Sequence, residues 1–189
     1  TLHHLALSND NDYGNFGKVN PPIRSPEDRE YLWKAIMAGD IDTVVSDHAC
    51  LTKERKEGDF WAITAGFGGT ALMFPVLITE GHFKRAMPLE RIAELTSLNP
   101  AIRHNLYPKK GTIMIGGDAD FAIIDLDREM KVSTDILHSA QDFTPFQGLT
   151  LRGWVDCTIL RGQVIFEQGK VVGKPGFGKY TKRPIKLHC

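Results

Sequence analysis

The sequence predicts an α/β fold in two unequal parts, on three observations. Residues 25–46 read as helix, tight turn and β-branched strand, which is half of an α/β repeat. After Pro108 the texture changes to short strands separated by Gly and Asp turns. With 189 residues, 42% of them hydrophobic, the chain can bury one core or two unequal ones, which excludes a disordered polymer.

Taken in order, the first clear element is a helix from Ser25 to Ala38. Ser25 is a good N-cap, Pro26 suits the first turn, and Glu27 and Asp28 complement the positive helix end. Leu32, Trp33, Ile36 and Met37 form its expected buried stripe. Gly39 closes it, and after Asp40 the segment Ile41–Ser46 is expected as a strand. Further helices are expected over about Thr70–Thr79, in spite of Pro75, and from Pro88 to about Ser97 with Ile92 and Leu95 inward. Asn99 as cap and Pro100 as first residue predict one more short helix, ending near Leu106. The expected strands of the second half are Gly111–Ile115, Phe121–Leu126, Trp154–Leu160 and Gln163–Phe166. Gly173–Cys189, dominated by Gly, Pro and Lys, reads as an extended tail, and no internal repeat is found.

Charge and cysteine usage narrow the partners. Lys plus Arg and Asp plus Glu balance at 23 each, so no net field gathers nucleic acid or an anionic membrane, and a small neutral substrate or a protein surface is expected instead. The lysines of the tail are weighed as a nucleic-acid arm and set aside on the same ground. Cys50, Cys157 and Cys189 are an odd number at wide spacing, which fits neither a disulfide framework nor a paired zinc motif and agrees with a reducing cytoplasm. Neither a signal peptide nor a membrane span is read. Thr1 is not an initiator methionine, so a piece of a longer chain is expected.

The candidate chemistry centres on Asp42-Thr-Val-Val-Ser-Asp-His-Ala-Cys50. In a parallel α/β sheet or barrel, catalytic groups project from the C-terminal ends of strands, and Asp47 sits where the expected strand 41–46 runs out. On position alone, a catalytic aspartate and one that merely caps a turn are evenly matched. His48 points to the opposite side if the strand continues, so a structural hydrogen-bonding role is expected for it. Asn20-Pro-Pro-Ile-Arg24 is a rigid extended segment able to hold backbone groups still. Ala65-Gly-Phe-Gly-Gly69 lets backbone approach a ligand but lacks the dinucleotide spacing. His3-His4 is read as local structure, and Cys50 as a small pocket wall.

Together these strings resemble a family. Lys18-Val-Asn-Pro-Pro-Ile-Arg24 followed by Gly39-Asp-Ile-Asp-Thr-Val-Val-Ser-Asp-His-Ala49 is similar to the end of the metal-dependent barrel of cyclic amidohydrolases: hydantoinases, dihydropyrimidinases, allantoinases and dihydroorotases. Ser97-Leu-Asn-Pro-Ala101, Gly111-Thr-Ile-Met-Ile-Gly-Gly-Asp-Ala-Asp-Phe-Ala-Ile-Ile-Asp125, Thr144-Pro-Phe-Gln-Gly148 and Ile159-Leu-Arg-Gly-Gln-Val164 resemble the same family's C-terminal sandwich.

The resemblance implies an α/β fold, the C-terminal part of a (β/α)8 TIM-type barrel followed by strands of a small β-sandwich. Residues 1–107 would be barrel, 108–172 sandwich and 173–189 tail. It implies hydrolysis of the C–N bond of a cyclic amide or imide by a divalent metal pair, zinc or manganese, with Asp47 as a metal ligand and proton carrier. Asn20, Ala65, Gly66 and Gly69 match the parts that hold the substrate. The family's His-x-His pair, carboxylated lysine and two further histidines belong to earlier strands, and a barrel takes ~250 residues. The implied partners are therefore the missing N-terminal barrel portion, a small cyclic amide and further copies of the chain. Cys50 and Leu51 depart from the Asp-His-Ala-Pro-His of dihydroorotases, Ala65 departs from a hydantoinase asparagine, Glu57-Gly-Asp-Phe60 resembles allantoinases, and Gly173-Lys-Pro-Gly-Phe-Gly-Lys-Tyr180 resembles hydantoinases and dihydropyrimidinases. The rival readings are a non-catalytic dihydropyrimidinase-related scaffold and a free-standing β-rich binding module.

Overall fold

The computed structural model describes residues 1–183, so the end of the expected tail, with Cys189, lies outside the described residues. Helices fill the first half and an antiparallel sheet the second. α1 (Leu2–Ala6) leads through a loop to α2 (Pro26–Ala38). α2 begins as its sequence dictates: the Ser25 hydroxyl accepts from the Asp28 amide while the Asp28 carboxylate accepts from the Ser25 amide, so two orphan donors are satisfied at once. Gly39 ends it with φ 89°, a left-handed position that costs a residue without Cβ little. Trp33 and Ile36 are buried, but Met37, expected in the stripe, is 43% exposed.

The segment 41–46 is extended yet pairs in no ladder, which corrects the strand expected there. Val44 donates to Leu95 O at 3.1 Å, and Val45 O accepts from Leu2 at 2.9 Å. A strand exists only where neighbours supply a row of backbone partners, and here each side supplies a single backbone bond.

The expected second helix continues past Thr79. A 3₁₀ turn (Thr70–Leu72), α3 (Met73–Val76) and a π turn (Leu77–Phe83) run on without a break. Likewise α4 (Leu89–Ala93), a π turn (Glu94–Leu98) and α5 (Asn99–Arg103) form one helical stretch. Asn99 is therefore not a cap but a helical residue, φ −64°, whose side chain donates to Asp42 O at 2.8 Å.

β1 (Phe121–Lys131), β2 (Thr150–Leu160), β3 (Gln163–Glu167) and β4 (Lys170–Val171) form an antiparallel sheet in sequence order. A register shift between Asp125 and Glu129 bulges β1, and the Asp125 carboxylate accepts from the amides of Asp127 and Arg128 that the bulge releases. The strand expected at 111–115 is absent: that segment is irregular, with Ile115 fully exposed. An apolar run needs a facing surface to become a buried strand, and none of the described residues covers it. Beyond β4, Arg161 donates to Phe177 O and stacks on its ring at 4.4 Å, which ties residues 173–183 to the sheet.

Two apolar clusters hold the molecule. One gathers Leu5, Trp33, Ile36, Val44, Leu77, Ile78, Met87, Ile92 and Leu95 from the helical half. The other joins both halves, packing Leu2, Phe67, Leu72 and Val76 against Val132, Phe143, Phe146, Leu151 and Trp154. The long connection between β1 and β2 is thereby seated on the loops that carry the predicted site residues.

Candidate functional site

Asp47 ends the extended segment in an unusual conformation. Its φ is 48°, in the left-handed region that Asp tolerates better than most residues with a Cβ. The carboxylate is exposed. A non-glycine residue in this region is held there by its surroundings, and such residues concentrate at functional positions.

The surroundings are specific. His48 Nδ1 accepts from the amides of Gly69 at 3.2 Å and Thr70 at 3.4 Å, at the start of the 70–83 helical run. An imidazole nitrogen that accepts two N–H groups carries no proton, so the ring's proton sits on Nε2. The supporting role expected of His48 thus takes the form of a bridge from the residue beside Asp47 to the glycine loop. Thr70 Oγ1 adds a contact to Ser46 Oγ at 3.4 Å, and Ala49 donates to Phe67 O at 3.1 Å.

The other predicted residues lie on segments knitted into the same corner. Gly66, φ 113°, donates to Lys18 O at 2.9 Å, and a Cβ there would stand 2.9 Å from that of Ala49, so glycine is required on both counts. Gly69 is buried with an extended φ of −160°, and it packs toward Leu2, Phe146 and Ser46. Ala65 is partly buried beside Gly66, and Asn20, exposed, precedes Pro21. His4 Nε2 meets the carbonyls of Pro21 and Pro22 at 3.2 and 3.3 Å, and its Nδ1 meets Thr1 Oγ1 at 2.6 Å.

His3 and His4 behave as local structure. His3 is buried, packs edge-on to Phe67 at 5.2 Å and hydrogen-bonds Thr1. Burial first, then the charges of His4 and the Thr1 amino group, pushes the His3 pKa down to about 3. Cys50 is exposed and its Sγ lies 3.5 Å from Ser139 Oγ; it and Cys157 are free thiols.

Among the described residues no group of three or more His, Cys, Asp or Glu is arranged to hold a metal ion. Asp47 is an exposed carboxylate, an oxygen donor of the kind that zinc or manganese accepts.

Four residues here were given no role of their own in the sequence. Lys18 Nζ donates to the carbonyls of Phe60, Trp61 and Ile63 at 2.7–3.0 Å and pins the loop after Asp47. Lys56 is 2% exposed and donates to Lys18 O at 3.0 Å. Gln141 and Asp142, on the β1–β2 connection, reach into the corner from the second half. None carries a local sequence signal, because each is defined by a partner distant along the chain.

The family model described as "Amidohydrolase family" matches residues 2–165. An L-hydantoinase of Paenarthrobacter aurescens is 38% identical over 173 residues, covering 90% of this chain and 38% of the relative. An allantoinase of Deinococcus radiodurans is 39% identical over 159 residues, covering 84% of this chain and 35% of the relative. A solved structure of a D-hydantoinase superposes with a TM-score of 0.89 at 33% identity, over 96% of this chain and 42% of that one. The chain therefore spans about two fifths of the length of the proteins it matches. No helix among the described residues is long and apolar enough to cross a membrane. With the family match running through most of its length, the chain belongs to the amidohydrolase family.

Proposed function

We propose that this chain is the C-terminal portion of a longer hydrolase that opens the C–N bond of a cyclic amide such as a hydantoin, dihydropyrimidine or allantoin. In this reading residues 1–107 complete a (β/α)8 barrel, 108–172 contribute strands to a β-sandwich, and 173–189 form a tail. The observation that carries it is Asp47, held at φ 48° at the end of the extended 41–46 segment with its carboxylate exposed. The names of the relatives supply the substrate class.

Asp47 would be this chain's ligand to a divalent metal pair, zinc or manganese. Such ions, when bound, lower the pKa of water and polarise the ring carbonyl. Asp47 takes the proton of the attacking water and delivers it to the departing ring nitrogen, a task suited to a carboxylate within hydrogen-bond reach of both. The backbone at Asn20, Ala65, Gly66 and Gly69 orients the planar ring. The glycines allow close approach, and the His48 bridge holds the loop at a fixed distance from Asp47.

The rest of the longer protein packs on the groove of about 840 Å³ between α4–α5 and β1, lined by Phe74, Ile78, Leu89, Ile92, Phe121 and Ile124. Copies of the whole then assemble as an oligomer in the cytoplasm. The reading is tested with Asp47→Asn in the longer protein. The expected result is a fall in kcat of about a hundred- to ten-thousandfold on a hydantoin or allantoin, the range a positioned general base contributes, with metal content reduced. Unchanged hydrolysis with both metals retained overturns it.

A further inference from the structure

We propose that the β1–β2 connection is a positioning device for the site, acting through Gln141 and Asp142 on the two loops that carry Asp47 and Gly66–Gly69. The inference rests on the hydrolase reading of that corner, and it assigns the second half of the chain a part in the chemistry.

Three segments distant in sequence meet there. The loop after Asp47 is gripped by Asp142, whose Oδ1 accepts from the Lys53 amide at 2.7 Å. The glycine loop is gripped by Gln141, which is 4% exposed. Its Nε2 donates to Phe143 O at 3.0 Å, and this bond aims the other end of the amide at Gly68. A Cβ at Gly68 would stand 1.8 Å from Gln141 Oε1 and 2.7 Å from His48 Cε1, so amide oxygen and imidazole edge crowd one point that only glycine leaves open. Ser139 completes the row, with Oγ 3.5 Å from Cys50 Sγ and 3.4 Å from the Gln141 amide.

Gln141 Oε1 is buried and without a protein partner among the described residues. Buried acceptors are seldom left so, and those that persist ask for an explanation. Two features account for this one. The polarised C–H between the ring nitrogens of His48 is a weak donor to an oxygen beside it. The space enclosed by His48, Gly68, Thr70, Leu137, Ser139 and Gln141 is about 10 Å³, at the lower limit for one water. Either contact would restrain the His48 ring, whose outer side is exposed. That ring bridges the backbone beside Asp47 to the amides of Gly69 and Thr70, so restraining it helps hold the left-handed turn at Asp47.

The apolar residues of the connection, Leu137, Phe143 and Phe146, already anchor it in the core. Asp142 Oδ1 addresses the loop after Asp47 rather than the core, and Gln141 joins the two, with Nε2 on Phe143 O and Oε1 toward Gly68.

The test uses the longer protein with Asp142→Ala, Asp142→Asn and Gln141→Leu, assayed for ring opening, bound metal and amide hydrogen exchange. Misplacing a proton carrier slows chemistry more than binding. Asp142→Ala and Gln141→Leu are therefore expected to lower kcat about 10- to 100-fold, with KM changed less than about twofold and metal content unchanged. Asp142→Asn keeps an oxygen acceptor for the Lys53 amide and is expected to restore kcat to near wild type. The Lys53 amide is expected to lose exchange protection in Asp142→Ala and to regain it in Asp142→Asn. Wild-type kcat in Asp142→Ala, or Asp142→Asn as impaired as Asp142→Ala, overturns the proposal. Should Gln141→Leu fail to fold, the Asp142 pair decides. If the unmutated protein opens no cyclic amide, the hydrolase reading fails by itself. Exchange then judges the clamp, and unchanged protection at Lys53 in Asp142→Ala overturns it.

Discussion

Lys56 stands in a stretch, Lys53-Glu-Arg-Lys56, that reads as solvated, yet its ammonium is enclosed beneath Phe143, 5.7 Å from the ring centroid. Burial, with the cation of Lys18 adding, pushes its pKa down to about 8. The folded state therefore holds this proton less tightly than the unfolded chain, whose lysine titrates near 10.5. Below pH 8 both states are protonated and the cost of burying the charge is present in full. Between pH 8 and 10.5 the folded lysine is neutral while the unfolded one is still charged, so stability rises with pH. The rise is on the order of 3 kcal/mol at 1.36 kcal/mol per unit. Lys56→Met, which keeps the stem and removes the charge, should abolish this alkaline rise. Urea midpoints measured between pH 7.5 and 10.5 check it, and the same rise in the variant would exclude Lys56 as its source. At this scale Asp47 stood out as a candidate because its neighbours in sequence form a motif. Lys56 and Gln141 did not, since what makes each unusual is an aromatic ring or a glycine brought in from elsewhere in the fold.

Elements were legible in proportion to how locally they are determined. α2 carries its cap, first-turn proline, acidic residues and terminal glycine within its own span, and it begins and ends where those signals stand. Segment 41–46 has strand-forming residues but no ladder, because pairing is a property of its neighbours. Asn99-Pro100 looked like a helix start, yet the π turn at Glu94–Leu98 carries the helix through it. A wider turn accommodates a proline that a regular α-helix would reject. The junction of sheet and helix depends on one glycine. Gly153 in β2 has φ 81°, and a Cβ there would stand 2.4–2.6 Å from Ile78 in the helical half. Just before it the Thr79 hydroxyl bonds the Arg152 backbone, accepting from its amide at 2.8 Å and donating to its carbonyl at 3.2 Å. Gly153→Ala combines left-handed strain with overpacking and should destabilise the protein by about 2–4 kcal/mol. Pairing it with Ile78→Ala should recover part of the packing loss, since the two share one contact. Denaturation of the two single variants and the double variant measures this, and strictly additive losses would mean that Gly153 acts through its backbone alone.

At the scale of the molecule, the apolar surface left uncovered is the informative feature. Ile113 is 84% exposed and Ile115 fully so, beside the groove of about 840 Å³ between α4–α5 and β1. Contiguous apolar surface of this kind marks an interaction site. The chain also covers only about two fifths of its hydantoinase and allantoinase relatives, and on the proposed reading the rest of a longer protein would be the partner for that surface. The same remainder would have to bring the metal ligands that Asp47 lacks among the described residues. On the proposed reading, both deficits, one of packing and one of coordination, would be met by the rest of a longer protein. The 189-residue chain expressed alone should therefore bind an apolar dye such as ANS, self-associate through the groove and hold no stoichiometric metal pair. The longer protein should lose the dye signal, gain two bound divalent ions by elemental analysis and show protection of the Ile113 and Ile115 amides from exchange. The two deficits should also be separable. Ile115→Asp in the longer protein places a charge under the covering segment and should weaken its docking, restoring dye binding, while Asp47→Asn should reduce bound metal with the groove still covered. A chain that alone melts cooperatively as a monomer and retains two metals would show that neither deficit exists and that the site is complete within these residues.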